Sequence, residues 1–413
     1  MPTTDALNTY ADIIVHTGVN IQPGQQLIIG ADLSAAPLVR AIARSAYKRG
    51  GGTVIPMYSD VEASGDRIAY AHDNVLEQGC PWMADAVARG IEEGAARIAI
   101  IGQGDIRYPD GVEPANAGER IQTMSKVGAA QNKRVRELTM SGHSSWCVVA
   151  YPTLAWAQQV FPDLAPDAAL ERLWTEVLHT AYADTTDPLA TWETHNKRLH
   201  ARAHAMNNAR FTALHFSGPG TDLTVGLAEG HEWNGGSKAT TSGQEYNANI
   251  PTEEVFTTPH NMRVDGWVRS TKPLYHANKV IEGIRVRFEN GKVVEAFADT
   301  NEDTFLKLLD SDEGARRIGE VALVPHKSPI ADTGIVFFET LFDENAACHI
   351  ALGQAYAYCQ TPDPDGRSNE ERGANTSRVH VDWMISDEHT VVDGITADGT
   401  RVRLIEHGDF VYA

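Results

Sequence analysis

A strand, a helix and a second strand follow one another near the start of the chain. Residues 26–30 are predicted to form a strand, residues 35–49 carry apolar side chains at helical spacing, and residues 53–58 are rich in β-branched side chains. A helix at 83–93 followed by an apolar strand at 97–101 repeats the order. Strands joined through a helix lie parallel in one sheet, so this region is predicted to be α/β.

The pattern changes in the second half of the chain. Long helices predicted over 167–182 and 192–207 close the N-terminal half, and from residue 211 onward there are β-branched runs separated by glycines, at 211–217, 221–227, 264–270 and 284–288. A chain of 413 residues is longer than one hydrophobic core usually organises. We therefore predict an α/β N-terminal domain over residues 1–208 and an α+β, strand-rich C-terminal domain over residues 209–413.

The charge of the chain argues against two classes of partner. Its 55 acidic and 35 basic residues give a formal net charge of −20, which repels the phosphates of nucleic acids and of anionic membranes. Residues 1–14 show no secretory leader, and no apolar stretch approaches the ~20 residues of a membrane span. The four cysteines form no C-x-x-C pair. We predict a cytoplasmic protein that binds neither nucleic acid nor membranes.

An imidazole and a carboxylate stand two residues apart in a β-branched run. Side chains two apart in a strand project from the same face, so His380 and Asp382 converge on one point. Such a pair suits a divalent metal ion, and a solvated pair on an exposed strand has the same pattern.

A second candidate segment lies at 343–356. The sequence favours a helix capped by Asp343, with His349, Gly353 and Tyr356 on one side. Glycine costs about 1 kcal/mol inside a helix, so its presence suggests that a missing side chain leaves room for a ligand. A close helix crossing, with the histidine hydrogen-bonded in the core, would give the same spacing.

Carboxylates at two further places complete the set of candidates. Glu320 opens an apolar run, and Glu253 and Glu254 are adjacent. If that segment is extended, at most one of the adjacent pair points inward. A lone glutamate at a strand edge usually faces solvent, so neither position identifies a site by itself.

Five segments of the chain strongly resemble the aminopeptidase T and aminopeptidase S (PepS-like) family of metallopeptidases. They are GTDLTVGLAEGH at 220–231, PTEEVFT at 251–257, DEGARRIGEVALVP at 312–325, LFDENAACH at 341–349 and HVDWMI at 380–385. The likeness extends over nearly the whole chain. Ala374 departs from it, because a second glycine is expected after Gly373, and this affects a turn rather than a ligand.

The resemblance implies a function and a set of site residues. It implies an aminopeptidase that acts on peptides with a free N-terminus and works as a homodimer. It also implies that the C-terminal domain is a metal-binding domain whose ligands are Glu254, Glu320, His349, His380 and Asp382, with Tyr356 lining the site.

Such a ligand set, rich in carboxylate, suits two divalent ions of Zn²⁺, Co²⁺, Mn²⁺ or Mg²⁺. Paired ions ~3.5–4 Å apart activate a water and polarise the scissile carbonyl, and we expect Glu320 to bridge them. Either Glu253 or Glu344 would be the general base or the counter-ion of the substrate ammonium. Tyr356 would donate to the oxyanion or reach a metal.

Two other classes of function stay open at this point. The protein could bind metal structurally and serve as a peptide-binding module without hydrolysis. It could also be a serine hydrolase that uses Ser144, since residues 142–146 superficially resemble a nucleophile elbow. Trp146 stands there in place of the small glycine that the strained turn needs, which weighs against this reading.

Overall fold

The computed structural model describes residues 2–102, 108–277 and 279–412. It separates into two compact units, one formed by residues 1–192 and 237–250, the other by residues 193–236 and 251–413. This division differs from the two continuous ranges predicted around residue 208. A single long helix, Pro188–Ala209, begins in the first unit and ends in the second, and the stretch 237–250 belongs to the first unit.

The helices are α1 Thr4–Ile13, α2 Ala36–Lys48, α3 Val61–Tyr70, α4 Asp73–Leu76, α5 Pro81–Glu92, α6 Ala117–Gln131, α7 Lys133–Met140, α8 Leu154–Val160, α9 Pro166–Thr180, α10 Pro188–Ala209, α11 Glu302–Leu309, α12 Pro329–Asp332 and α13 Thr340–Asp343. None of the helices in the described ranges is long and apolar enough to cross a bilayer.

The strands are β1 Leu27–Asp32, β2 Val54–Ser59, β3 Ala96–Ile101, β4 Trp146–Ala150, β5 Ala213–Gly218, β6 Thr221–Leu227, β7 Lys238–Ala239, β8 Glu245–Tyr246, β9 Asn249–Ile250, β10 Val255–Thr257, β11 Pro259–Arg269, β12 Leu274–His276, β13 Lys279–Ile281, β14 Arg285–Glu289, β15 Lys292–Phe297, β16 Ile318–Leu323, β17 His349–Gly353, β18 His380–Met384, β19 Val391–Ile395, β20 Arg401–Glu406 and β21 Asp409–Phe410.

The first unit contains a parallel sheet in the order β2-β1-β3-β4-β9. Helix α2 connects β1 to β2, as the strand, helix, strand pattern predicts. It buries Leu38, Val39 and Ile42 on one face, and a short 3₁₀ turn precedes it, at the start of which the Asp32 side chain accepts a hydrogen bond from the Ser34 amide. The local periodicity of the sequence is therefore sufficient to place these elements.

The described residues of the second unit form two antiparallel sheets of four or more strands, besides the short antiparallel pair β12-β13. The larger one has the order β15-β14-β11-β6-β5-β19-β20-β21, and the smaller one has the order β10-β16-β17-β18. One face of the smaller sheet packs into the apolar core of the unit through Val255, Val321, Leu323, Ile350, Leu352 and Trp383. Alternation along the strands sends the residues between them to the opposite face.

The prediction of a helix over residues 343–356 is wrong. Helix α13 ends at Asp343, a short 3₁₀ turn follows, and His349 begins strand β17. The Asp343 carboxylate accepts hydrogen bonds from the amides of Phe337 and Glu339, so it does not cap a following helix. The backbone of β17 bonds to β16 on one side and β18 on the other, and this pairing outweighs local helix propensity.

Gly353 is required by the backbone conformation, and not, as predicted, to leave room for a ligand. Its φ is +106°, and a Cβ atom at this position would lie 2.1 Å from the carbonyl oxygen of Val379. Only glycine combines this backbone conformation with so close an approach. The residue ends β17 where the chain presses against the start of β18.

Candidate metal centre

Four of the candidate ligands share one face of the smaller sheet because of strand register. Ala351 pairs with Glu320 on one side and with Asp382 on the other, while Gly353 pairs with His380. His349 lies two residues before Ala351 and therefore points the same way. Directly opposed residues of antiparallel strands project to the same side, so all four side chains converge on the face that is turned away from the apolar core.

Glu254 reaches this face from the segment that precedes β10. Phe256 pairs with Ala322 of β16, and Glu254 lies two residues earlier on the same side. Its Oε2 atom is 3.1 Å from His349 Nε2, and Glu320 Oε1 is 3.8 Å from the same nitrogen. The structure thus brings the five predicted side chains together.

The ligand atoms fall into two groups that share one residue. Glu254, Glu320 and His349 form the first group, and Glu320, His380 and Asp382 form the second, with the chosen atoms of each group within 4.8 Å of one another. His380 Nε2 lies 3.5 Å from Glu320 Oε2 and 3.5 Å from Asp382 Oδ2. The Oε1 atom of Glu320 lies near His349 of the first group, and its Oε2 atom lies near His380 of the second.

Small residues leave space in front of the charged ones. Ala322 and Ala351 occupy the same face as the ligands, beside Glu320, His349 and Asp382. A larger side chain at either position would project into the region where the carboxylates and imidazoles meet. The sequence carries no signal for the two alanines, because only the strand register reveals that they face the site.

Both imidazoles are oriented by backbone carbonyls. Nδ1 of His349 lies 3.2 Å from the carbonyl oxygen of Ala347, and Nδ1 of His380 lies 2.7 Å from that of Gln354. A carbonyl oxygen only accepts, so each Nδ1 carries a proton and donates. In the neutral ring the lone pair is then on Nε2, which faces carboxylates. This is the usual arrangement of histidines that bind metal ions.

Several buried atoms of the cluster lack a hydrogen-bond partner among the described residues. They are Glu254 Oε2, Glu320 Oε2, His349 Nε2 and Asp382 Oδ1. Buried polar atoms in folded proteins nearly always have a partner. Because these four are acceptor atoms that converge within a few ångströms, divalent cations fit the arrangement chemically.

The charges of the cluster strongly shift the pKa values of its members. Burial works to lower the pKa of His380, but the charges of Asp382 and Glu320 outweigh it and raise that pKa to about 10. Burial raises the pKa of Glu320 to about 7, with Glu254 and Asp382 adding to the effect and His349 opposing it. A group of acids that compete for protons in this way is a common property of functional sites.

Tyr356 and Glu344 lie beside the cluster. The Tyr356 ring centroid is 4.7 Å from that of His380, and the Tyr356 ring stacks on Tyr358. Burial, followed by the charges of Glu320 and Asp382, holds the pKa of Tyr356 well above its usual range. Burial and then the charges of Asp382 and Glu254 also hold the pKa of Glu344 well above its usual range.

Glu253 has different surroundings from Glu254. The carboxylate of Glu253 is fully buried beside helix α10, 3.7 Å from His195 Nε2 and 3.5 Å from Arg198 Nη2. Glu254 is also buried. The condition on which at most one of these two acids was predicted to point inward is not met, because residues 251–254 lie outside any strand, and both acids are buried.

Ser144, the nucleophile of the serine hydrolase hypothesis, lies in the first unit. Its side chain is buried, and its hydroxyl group donates to the carbonyl oxygen of Ala95. The adjacent His143 has its Nε2 atom 3.1 Å from the carbonyl oxygen of Glu92. Neither side chain is arranged as a nucleophile with its base.

Comparison with known proteins gives a consistent result over the full length of the chain. A family model described as thermophilic metalloprotease (M29) matches residues 3–410. The chain is 44% identical to aminopeptidase T of Thermus aquaticus over 408 residues, which is 99% of each protein. It is 41% identical to aminopeptidase 2 of Geobacillus stearothermophilus, with 98% of each chain covered.

A solved structure also matches. The structure described as wild-type AmpT from Thermus thermophilus superposes with a TM-score of 0.91 at 43% sequence identity, covering 98% of this chain and 99% of that chain. The similarity in sequence and in fold therefore includes both compact units.

Proposed function

The chain belongs to the thermophilic metalloprotease (M29) family and is a metal-dependent aminopeptidase, and on this premise we propose that it cleaves N-terminal peptide bonds with a water activated by two divalent ions. The observation that carries the two-ion proposal is the position of Glu320, which belongs to both ligand groups. Glu254 and His349 would complete one site, and His380 and Asp382 the other. The working protein is proposed to be a cytoplasmic homodimer.

The ligand set limits the choice of ion. Carboxylates with a minority of imidazoles suit Zn²⁺, Co²⁺, Mn²⁺ or Mg²⁺. When bound, a pair of such ions lowers the pKa of a coordinated water and polarises a substrate carbonyl. The protein contributes the separation of the two ligand groups and the orientation of both imidazoles through Ala347 and Gln354.

Two residues next to the ligands are proposed to act on the substrate. Glu344 would take the proton of the attacking water and return it to the leaving amine, because its carboxylate lies close to Asp382 and Glu254 of the ligand cluster. Tyr356, which its raised pKa keeps protonated, would donate a hydrogen bond to the developing oxyanion. We assign the base to Glu344 because the Glu253 carboxylate lies beside α10.

A chromogenic aminoacyl anilide, assayed with and without a chelator, tests this function. We expect hydrolysis that the chelator abolishes and that added Zn²⁺ or Co²⁺ restores. The N-acetylated substrate should resist cleavage, since an aminopeptidase requires the free ammonium group. Equal cleavage of the two substrates would contradict an aminopeptidase.

The same assay separates the two alternatives. Activity that persists in chelator and disappears in Ser144→Ala would indicate a serine hydrolase. A protein that binds the ions without hydrolysing a panel of aminoacyl substrates would be a binding module. A titration that ends at one ion per chain, with full activity, would contradict the two-ion mechanism.

A further inference from the structure

The segment that carries Glu254 is held in place from two sides, although it forms no strand. Residues 251–254 precede β10, and both adjacent acids in this segment are buried. An irregular segment keeps a fixed conformation only where its backbone groups have specific partners. The partners of Thr252 and Glu253 therefore determine where the Glu254 carboxylate lies.

The first anchor is His195 on helix α10. Its Nε2 atom is 2.7 Å from the carbonyl oxygen of Thr252, so Nε2 carries a proton and donates. Mainly because of burial, the pKa of His195 is lowered to about 4, so the ring is neutral near pH 7. Its Nδ1 atom then accepts from Arg198, whose Nη2 is 2.8 Å away. The Glu253 carboxylate lies beside both side chains.

The second anchor is Asn345, which is fully buried. Its Oδ1 atom accepts a hydrogen bond of 2.7 Å from the Glu253 amide, and its Nδ2 atom donates one of 3.0 Å to the carbonyl oxygen of Leu341. Its own carbonyl oxygen accepts from the Ser328 hydroxyl at 3.1 Å. The side chain therefore joins the segment before β10 to the turn after α13.

Each end of the Asn345 link is adjacent to an acid of the site. Glu253 is followed by Glu254, a candidate ligand, and Asn345 is preceded by Glu344, the proposed base. One hydrogen bond therefore links the segment that carries the candidate ligand to the turn that carries the proposed base. Asparagine is suited to this position because it accepts and donates at the same time, whereas aspartate only accepts and leucine does neither.

We propose that Asn345 is a positioning residue that sets the separation of Glu254 and Glu344, and that Glu253 secures the same segment to α10 rather than acting as the general base. The proposal rests on the proposed function of the metal centre. A displacement of about 1 Å in a catalytic group can cost on the order of 10²-fold in rate, so a buried link that touches no substrate still controls turnover.

Three variants and one control test the proposal. Asn345→Leu removes both hydrogen bonds, Asn345→Asp keeps only the acceptor, and Glu253→Gln keeps the shape but removes the charge and any base function. Glu193→Gln is the matched control, since Glu193 is an exposed residue of α10 that pairs with Lys197. Each protein is loaded with Co²⁺, and its visible absorption spectrum, kcat, KM and pH profile are measured.

We expect both Asn345 variants to lower kcat by roughly 10–100-fold, with a smaller change in KM, because the positions of ligand and base shift together. The Co²⁺ spectrum should change most in Asn345→Leu, which loses the bond to the Glu253 amide so that Glu254 moves, and less in Asn345→Asp, which loses only the bond to Leu341. Glu253→Gln should lose less than about tenfold in kcat and keep the acidic limb of the pH profile, because removal of a true base costs about 10²–10⁴-fold. Glu193→Gln should match the original protein.

Two results would overturn the proposal. One is an original kcat and an original Co²⁺ spectrum in both Asn345 variants. The other is a loss above about 10²-fold in Glu253→Gln with an unchanged spectrum, which would make Glu253 the base. If Asn345→Leu does not fold, the kcat values and Co²⁺ spectra of Asn345→Asp and Glu253→Gln test the proposal. An inactive Co²⁺ form of the original protein would contradict the proposed function, and the spectra would still report whether Asn345 positions Glu254.

Discussion

The parallel sheet of the first unit and the smaller antiparallel sheet of the second differ in the hydrogen-bond partners of the polar groups buried beside them. Beside the parallel sheet, the Tyr10 hydroxyl bonds to the carbonyl oxygen of Ala150, and the Ser145 hydroxyl accepts from Gln244. The antiparallel sheet instead buries Glu320, His349 and Asp382 together on one face. These two hydroxyl groups of the first unit have protein partners, whereas buried atoms of Glu320, His349 and Asp382 have none among the described residues.

This difference explains where the chain depends on a ligand for stability. Carboxylates that are buried together repel one another and lose hydration, which destabilises the folded state unless a cation is present. The opposite face of the same sheet packs into an apolar core, and this packing holds the strands in register. The first unit contains no comparable cluster among its described residues.

The largest contrast between the two regions is expected for Glu320→Gln. Because one side chain serves both ligand groups, its loss should lower kcat/KM by roughly 10³-fold, or about 4 kcal/mol, at saturating metal. Glu92→Gln in the first unit breaks only a surface ion pair with Arg134 and should leave kcat/KM unchanged within about twofold. A Glu320→Gln enzyme within tenfold of the original activity would refute a shared ligand.

The next contrast concerns two glycines in strands. Gly353→Ala should destabilise the fold by roughly 3 kcal/mol, because φ is positive and the new Cβ would meet the carbonyl oxygen of Val379. Gly30→Ala in β1 should change stability by less than about 1 kcal/mol, since a methyl group there would have its nearest neighbouring atom 3.9 Å away. Denaturant unfolding measures both, and equal losses would contradict this account of Gly353.

A smaller effect is expected for a single hydroxyl group. Tyr356→Phe should lower kcat by roughly 10–100-fold, or about 1.4–2.7 kcal/mol, with little change in KM, because the donor acts on the oxyanion. Tyr151→Phe, which changes a buried tyrosine of the first unit, should keep the original kcat. An increase in KM at constant kcat in Tyr356→Phe would show that the hydroxyl binds substrate in its ground state instead.

The last expected contrast is a pH dependence of the metal-free protein. The folded pKa values of Glu320, about 7, and His380, about 10, both lie above their ordinary values, so the folded state holds extra protons. The stability that these groups contribute is complete below their unfolded pKa values, and it is lost as the pH rises through the folded ones.

Between about pH 6 and about pH 9 the metal-free protein should therefore lose stability, and saturating Zn²⁺ should remove most of this dependence. Hydrogen exchange should show faster opening of β16–β18 and unchanged protection of β1–β4. Stability that rises with pH in the presence of chelator would contradict the sign derived from these two residues.

Sequence alone predicts the first unit better than the second for a physical reason. Strand β1 and helix α2 follow from apolar spacing within a few residues, and the predicted ranges 26–30 and 35–49 agree closely with the observed elements. Strand β17 is set by neighbours that are distant in sequence, so the helical spacing around His349 is misleading. Long-range pairing is information that a local pattern does not contain.

The residues of the candidate site also differ in whether a local sequence pattern predicts that they meet. His380 and Asp382 meet because of strand alternation, which a sequence reveals, whereas Glu254, Glu320 and His349 are identified through the resemblance to a family. The alanines beneath the ligands and the link through Asn345 depend on register and on buried contacts. Neither leaves a signal in the spacing of residue types.

The irregularity between Ile318 and Glu320 has a consequence for protein engineering. Ile318 pairs with Leu352 and Glu320 with Ala351, so Gly319 is an extra residue that shifts the phase of β16. Deleting Gly319 would make the side chains on one side of that point exchange faces of the sheet. Either Glu320 would then point into the apolar core, or the residues before Gly319 would be displaced. Anyone who transplants this centre into another scaffold must therefore copy a phase shift as well as five side chains.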